Sequence, residues 1–289
     1  MVEPLRIGEL SRRVGASPQV LRVWERRYGL LEPQRSANGY RVYSSEDLRR
    51  ATEMQAHIAR GVAPVQAAEL AKAGQAGDPV ARITSAIAPE LLARLRRTLG
   101  SYDGADADAV VEQSLLTLGL AGAIQTVFMP FLREVGQCWA RAEISVAQEH
   151  FATNVLRRRL DRITAGWNDE GPKSALLACA PGEQHDIGLL CFGLSLRNYH
   201  GWRITYLGPD TPLHDLASAA ATVRPDAVVA SAISPALFFR GAAGWRALAA
   251  HFTIAIAGAG ASARLAKTLG VEYLAGDPVN AAARLATAH

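Results

Sequence analysis

The sequence predicts a multidomain α and α/β protein in three modules. A winged helix-turn-helix comes first, then a four-helix bundle, then a doubly wound parallel sheet of the flavodoxin-like Rossmann kind. Three observations lead there. The excess positive charge is confined to the front of the chain. The middle carries apolar residues at three- and four-residue spacing. The final third alternates short apolar runs with helix-like segments, the pattern of a parallel sheet covered on both faces. The pattern changes place the modules at 1–75, 79–169 and 172–289.

The 289 residues carry a net charge of +4. Residues 1–75 hold 12 Lys and Arg against 8 Asp and Glu, whereas the remainder holds 19 of each. A basic module on a neutral body is the electrostatic footprint of a nucleic-acid reader. No apolar run approaches the roughly 18 residues of a membrane span. The start, Met1-Val2-Glu3-Pro4-Leu5-Arg6, lacks the apolar core of a signal peptide. Cys138, Cys179 and Cys191 show no metal-binding spacing and read as buried reduced thiols, so a cytoplasmic location without membrane contact is expected.

In the front module, residues 7–14 read as a short amphipathic helix. Gly15-Ala16-Ser17 is a turn, with Ser17 as N-cap and Pro18 at the first position of a second helix, about 18–28. That helix turns Val20, Leu21 and Trp24 inward and presents Arg22, Arg26 and Arg27 outward. Two helices joined this way form a helix-turn-helix, whose second helix can enter the major groove. Asn38-Gly39 between strand formers predicts a hairpin, a small wing with Arg35 and Arg41 near its tip. Ser44 to Asp47 then cap a helix of about 47–60. Gly74 to Pro79 reads as a linker.

In the middle module, residues 89–99, 105–118, 122–139 and 146–163 show helical periodicity, enough for a compact bundle. Asp103, Asp106 or Asp108 starts the second helix, and Ser145 caps the fourth. Trp139 ends the third helix, and Glu149-His150 follows on the fourth. These residues either face a shared cavity or are a core Trp and a surface pair.

In the last module, strands are expected at 174–180, 202–207, 227–232, 253–257 and 272–274, with helices including 213–222 and 238–251. Ligands bind such sheets at the carboxyl ends of the strands. There, just after the first strand, stands Glu183-Gln184-His185-Asp186-Ile187-Gly188. One imidazole nitrogen can bind a metal while a carboxylate fixes the other, and the glycine admits close approach of a ligand. By itself the motif also describes an ordinary surface histidine. Other strand ends carry Ser231-Ala232-Ile233-Ser234 and Gly258-Ala259-Gly260. His200, His214 and His251 lie outside the pattern and read as surface residues.

Residues 5–73 resemble the winged-helix DNA-binding domain of the MerR family. The resemblance rests on Val23-Trp24-Glu25-Arg26-Arg27-Tyr28-Gly29-Leu30-Leu31, then Pro33, Arg35, Gly39-Tyr40-Arg41 and Tyr43. It implies double-stranded operator DNA as partner, contacted by Arg22, Trp24, Arg26, Arg27, Tyr28, Arg35, Tyr40 and Arg41, and a homo-oligomer, dimer or tetramer. The long coiled coil and Cys cluster of the metal-sensing branch are missing.

Trp139-x9-Glu149-His150 is similar to the signature of the MerR-type adenosylcobalamin photoreceptors, the CarH/LitR group. Glu183-x-His185-x-x-Gly188, Ser231-x-Ile233 and Gly258-x-Gly260 resemble the cobalamin-binding fold, whose usual pattern is Asp-x-His-x-x-Gly, Ser-x-Leu and Gly-Gly. This resemblance implies a base-off, His-on adenosylcobalamin with His185 as lower cobalt ligand. Glu183, Asp186, Gly188, Ser231, Ile233, Gly258 and Gly260 would complete the cofactor site. Trp139 would lie against the adenosyl group, with Glu149 and His150 as polar contacts to it. The implied function is a transcriptional regulator, not an enzyme, whose dark oligomer holds DNA and lets go when light breaks the cobalt–carbon bond. The alternatives are a light-independent corrinoid- or metabolite-sensing regulator and a corrinoid methyl-transfer carrier. The sequence departs from the group at Ala140, where a His takes the vacated upper cobalt position after illumination.

Overall fold

A computed structural model describes residues 5–35, 39–59, 64–73, 79–164, 166–167 and 171–289. The chain divides into two compact units, residues 1–83 and 84–289.

In the first unit, α1 (Ile7–Val14) and α2 (Pro18–Tyr28) are joined through Gly15, whose φ of 73° favours glycine. The Ser17 hydroxyl accepts from the Val20 amide at 3.3 Å and caps α2. Leu10, Val14, Leu21 and Trp24 enter one core with Tyr43 and Met54. Val20, expected inside, is exposed. The inward stripe runs through Leu21 and Trp24 at three-residue spacing, and Val20 falls one position off it.

The antiparallel wing strands β1 (Gln34–Arg35) and β2 (Arg41–Val42) set Arg35 opposite Arg41. Asn38 of the expected turn lies outside the described residues; Gly39 has a φ of 76°. Next comes α3 (Ser45–Ala59), starting two residues earlier than expected. Ser44 Oγ accepts from the Asp47 amide at 3.1 Å, and the Asp47 carboxylate accepts from the Ser44 amide at 2.8 Å. This reciprocal cap satisfies amides that a helix start leaves open. The unit closes with α4 (Pro64–Ala73). The end of the expected third helix at Arg60, and residues 74–78 of the expected linker, lie outside the described residues.

The bundle comprises α5 (Pro79–Ser101), α6 (Gly104–Ala123), a π-helical segment (Ile124–Phe128), α7 (Met129–Ala140) and α8 (Val146–Ile163). Pro89, expected to open a helix, sits inside α5, where the chain continues at the loss of one backbone hydrogen bond. The break between the second and third helices falls at Gly119, with φ 68° and ψ 174°, a region open essentially to glycine alone. Contrary to the sequence expectation, the stretch Gly104–Ala140 is long and apolar enough to cross a membrane. Its kink divides it, however, and Val110, Val111, Val127, Phe128 and Phe131 are spent on the bundle core. Ser145 and Gln148 form a capping box at the start of α8.

The sheet domain runs β3 (Ser174–Cys179), α9 (Ile187–His200), β4 (Arg203–Gly208), α10 (Leu213–Val223), β5 (Ala227–Ser231), α11 (Pro235–Arg240), α12 (Ala242–Ala249), β6 (Ile254–Ala257), α13 (Ala263–Leu269), β7 (Glu272–Tyr273) and α14 (Pro278–Ala288). All five strands are parallel, in the order β4-β3-β5-β6-β7. The single helix expected over 238–251 is two, divided at Gly241, where a Cβ would come within 2.9 Å of Leu213 Cδ1.

One face of the sheet carries α9 and α14, and the bundle shares a continuous apolar core with that face. The other face is covered by α10, α12 and α13. Strand order reverses between β3 and β5. The crevice beyond the carboxyl ends of those two strands is where such folds take ligands.

Candidate functional site at the strand ends

The loop between β3 and α9 carries Glu183, His185 and Asp186 to the switch point. Glu183 is 1% exposed, and its two oxygens do different work. Oε1 lies 2.7 Å from His185 Nδ1 and accepts the His185 amide at 2.8 Å. Oε2 accepts the Ile233 amide at 2.6 Å, from the loop after β5. The Glu183 carbonyl accepts the Asp210 amide at 2.7 Å, from the loop after β4. One buried carboxylate residue therefore ties together the loops of three adjacent strands.

Burial pushes the Glu183 carboxyl up, but the bonds from His185 and the Ile233 amide outweigh it and hold it below the usual range. His185 is raised, first by its bond to Glu183, against an opposing effect of burial, with the charges of Glu149 and Asp186 adding to the rise. A carboxylate on Nδ1 keeps the proton there and leaves the Nε2 lone pair free to bind a metal. The His185 side chain is 63% exposed, and Nε2 has no hydrogen-bond partner among the described residues. Among those residues there is also no cluster of three or more metal-binding side chains. Such a histidine suits a metal that arrives already held by its own macrocycle.

Gly188 opens the first turn of α9. A Cβ there would meet only Met129 Cε at 3.8 Å, so the protein's own packing does not demand glycine. At Gly258 and Gly260 the opposite holds. A Cβ would come within 2.6 Å of the Ala232 carbonyl oxygen at Gly258, and within 2.6 Å of the Ser234 carbonyl carbon at Gly260. These glycines let the loops after β5 and β6 touch. Ser231 is buried with Oγ 3.5 Å from Cys179 Sγ, and burial pushes that thiol up to about 12. Ile233 stands exposed at the rim.

Asp186 has partners within the protein. Expected to touch the ligand, its side chain is 1% exposed and already engaged. Arg157, on α8, grips both carboxylate oxygens, Nη1 at 3.1 Å from Oδ2 and Nη2 on Oδ1. Tyr206 on β4 donates to Oδ2 at 2.8 Å. Neither Arg157 nor Tyr206 was among the sequence candidates. A signal existed for Arg157: it follows Glu149 by two helical turns, with Thr153 between, on one stripe of α8.

Above the loop, Thr153 Oγ1 donates to Glu149 Oε1 at 2.8 Å, and His150 Nε2 is 3.7 Å from Glu149 Oε2. His150 is exposed. Trp139, at the end of α7, is 53% exposed and is not the core residue that a lone Trp usually is. Ala140, exposed beside it, offers no ligand atom. His214 and His251 are exposed, while His200 is partly buried and shifted down by that burial.

In the first unit, Arg22, Arg26, Arg27, Arg35 and Tyr40 are exposed. Arg41 pairs with Glu25 at 3.1 Å, and Tyr28 is partly buried, with the Arg27 guanidinium 5.8 Å from its ring centre. Trp24, by contrast, is 4% exposed, and its ring supports α2 from the core.

Comparison with known proteins gives the family of the chain. Residues 5–73 match the family described as MerR HTH family regulatory protein. Residues 91–164 and 173–282 match two families each described as B12 binding domain. The HTH-type transcriptional repressor CarA of Myxococcus xanthus is 34% identical over 233 residues, 78% of this chain and 76% of that protein. The HTH-type transcriptional repressor CarH of the same organism is 31% identical over 236 residues, 79% of each. Among solved structures, the Methanosarcina barkeri monomethylamine corrinoid protein matches with a TM-score of 0.56 at 19% identity, over 70% of this chain and 99% of its own. That likeness is one of fold.

Proposed function

Because this chain belongs to the family of the HTH-type transcriptional repressors CarA and CarH and carries both MerR and B12-binding regions, we propose that it is a light-responsive, adenosylcobalamin-dependent repressor. Cobalamin-dependent regulation of transcription follows from the family. Beyond that, the chain would bind the adenosyl form in the His-on mode, respond to light, assemble into an oligomer and act in the cytoplasm.

The observation that carries it is His185: exposed, with Nδ1 fixed by buried Glu183 and Nε2 free. The residues present fit a corrinoid. His185 Nε2 would hold the cobalt, and Ile233 and Gly188 would border the ring. Trp139, Glu149 and His150 would meet the upper ligand, and Ser231, Gly258 and Gly260 would shape the strand-end crevice. The bound group supplies one thing the protein lacks, a cobalt–carbon bond that light can break.

The protein supplies the readout. Contacts of Trp139, Glu149 and His150 with the adenosyl group favour one bundle arrangement, because a ligand shifts an equilibrium only through contacts that differ between the states. That arrangement assembles the oligomer. Several DNA-binding units then engage operator DNA together through Arg22, Arg26, Arg27, Arg35, Tyr40 and Arg41, gaining effective concentration. Loss of the upper contacts releases the DNA. Catalysis has no part in this scheme.

Ala140 favours a second reading, a corrinoid sensor whose output is independent of light, because this position has no imidazole to hold an illuminated state. The test is operator binding and size-exclusion elution of the full chain without ligand, with adenosylcobalamin in the dark, and after green light. The proposal expects a large DNA-binding species only in the dark, ligand-bound sample. An unchanged elution and unchanged DNA binding after illumination would leave the light-independent sensor.

A further inference from the structure

The Arg157–Asp186–Tyr206 cluster is not used by the scheme above. It joins three elements: α8 of the bundle, the loop that carries His185, and β4 of the sheet. Asp186 directly follows His185 and precedes α9, whose backbone begins at Ile187. Its carboxylate is buried and accepts from Arg157 on both oxygens and from Tyr206 on one. Tyr206 is itself braced by Trp167, ring centres 5.5 Å apart, and burial beside Asp186 pushes its hydroxyl far up. The Arg157 guanidinium is held in its charged form by the bond to Asp186, against a smaller cost of burial.

Geometry gives this cluster leverage. Glu149 precedes Arg157 by eight residues on α8, about 12 Å along the helix axis. The bidentate grip fixes two atoms of a planar fork, so it sets orientation as well as distance. A helix pinned there presents its first two turns, with Glu149 and His150, at a set distance from the His185 loop.

We propose that Arg157 is a positioning residue: through its two-pronged bond to Asp186 it pins α8 to the His185 loop and so fixes the spacing between Glu149–His150 and the His185 ring. The proposal rests on the cobalamin reading for its functional meaning. A corrinoid with a bulky upper group touches both sides of that spacing, whereas one with a small upper ligand depends chiefly on the His185 side. Breaking the pin therefore costs affinity for the bulky form and spares the small one.

Two measurements on the full chain test this. In the first, adenosylcobalamin and hydroxocobalamin are titrated in the dark by absorbance into wild type, Arg157→Met, Asp186→Asn and Arg157→Lys. The pin predicts that Arg157→Met and Asp186→Asn lose about tenfold or more in adenosylcobalamin affinity while hydroxocobalamin affinity stays within about threefold, because removing one partner of a buried pair strands the other. Arg157→Lys keeps the charge without the fork and recovers part of the lost ratio. Equal losses for both cobalamins would make the pair a structural brace only, and unchanged affinities would dismiss it.

The second measurement is hydrogen exchange of the ligand-free protein. Exchange in α8 rises in Arg157→Met while exchange in α6 does not; equal exchange of α8 in the two proteins would overturn the pin. This arm needs no cofactor. If wild type bound neither cobalamin, the cobalamin reading would fail, and the pin would still be decided here.

Discussion

Glu183 Oε1 sits 2.7 Å from His185 Nδ1 while Glu183 Oε2 takes the Ile233 amide at 2.6 Å. One buried carboxylate thus orients the candidate cobalt ligand and anchors it to the strand across the switch point. Glu183→Gln keeps the shape but puts an amide where a carboxylate accepted. Cobalamin affinity, read by absorbance titration, is expected to fall about 10- to 100-fold, the range for losing a partner of a metal-bound histidine. An unchanged affinity would mean that His185 needs no such partner.

The two faces of α2 make separable predictions. Trp24→Ala empties a core position and is expected to cost about 3–5 kcal/mol of the first unit's stability, seen as a lower thermal midpoint. Arg26→Ala removes an exposed charge. It is expected to leave the midpoint in place, weaken operator binding and reduce the salt dependence by roughly one phosphate contact. A lower midpoint in Arg26→Ala, or an unchanged salt slope, would contradict this division.

The front unit also carries a small acid-sensitive element. Bonds from Arg49 hold the Glu46 carboxyl down at about 2, against an opposing effect of burial, with Arg50 adding. A carboxyl depressed in the folded state stabilises above its unfolded value near 4.5 and loses that contribution as pH falls toward 2. Because the group is partly exposed, the gain is below about 1 kcal/mol. The difference in thermal midpoint between wild type and Glu46→Gln should therefore be constant well above pH 5 and shrink steadily as pH falls from there through about 2. A difference that did not shrink between pH 5 and pH 2 would assign it to packing.

Ala140 is exposed beside Trp139 and provides no donor atom. Ala140→His supplies one. After illumination with adenosylcobalamin, the variant is expected to hold a longer-lived bis-imidazole spectrum than wild type. Identical spectra would show that this position has no access to the upper face.

Much of this arrangement is legible in the residues. The strands follow from short apolar runs, because a strand buried on both faces has no polar alternation to obscure it. The pairing of Glu183 with His185 is legible because the motif sets rare types at fixed spacing in one loop. What pairs with what is less so. Asp186 reads as a ligand contact from its place in the motif, yet its partners come from α8 and β4, 29 and 20 residues away. Gly258 and Gly260 read either as a ligand loop or as a packing requirement, and the neighbouring loop fills the space a Cβ would need. Trp24 shows the same limit: one motif carries both exposed arginines and the residues that hold the helix from behind. The kink at Gly119 and the unbroken passage through Pro89 depend on bundle packing that no local propensity reports.

A bond from His185 to cobalt is read directly by nitrogen hyperfine structure. The full chain is labelled uniformly with ¹⁵N, loaded with unlabelled cob(II)alamin, and its electron paramagnetic resonance spectrum recorded. Coordination by His185 predicts two-line splitting from the protein's ¹⁵N, lost in His185→Ala. Three-line splitting from the cofactor's own ¹⁴N base, unchanged by that substitution, would contradict it.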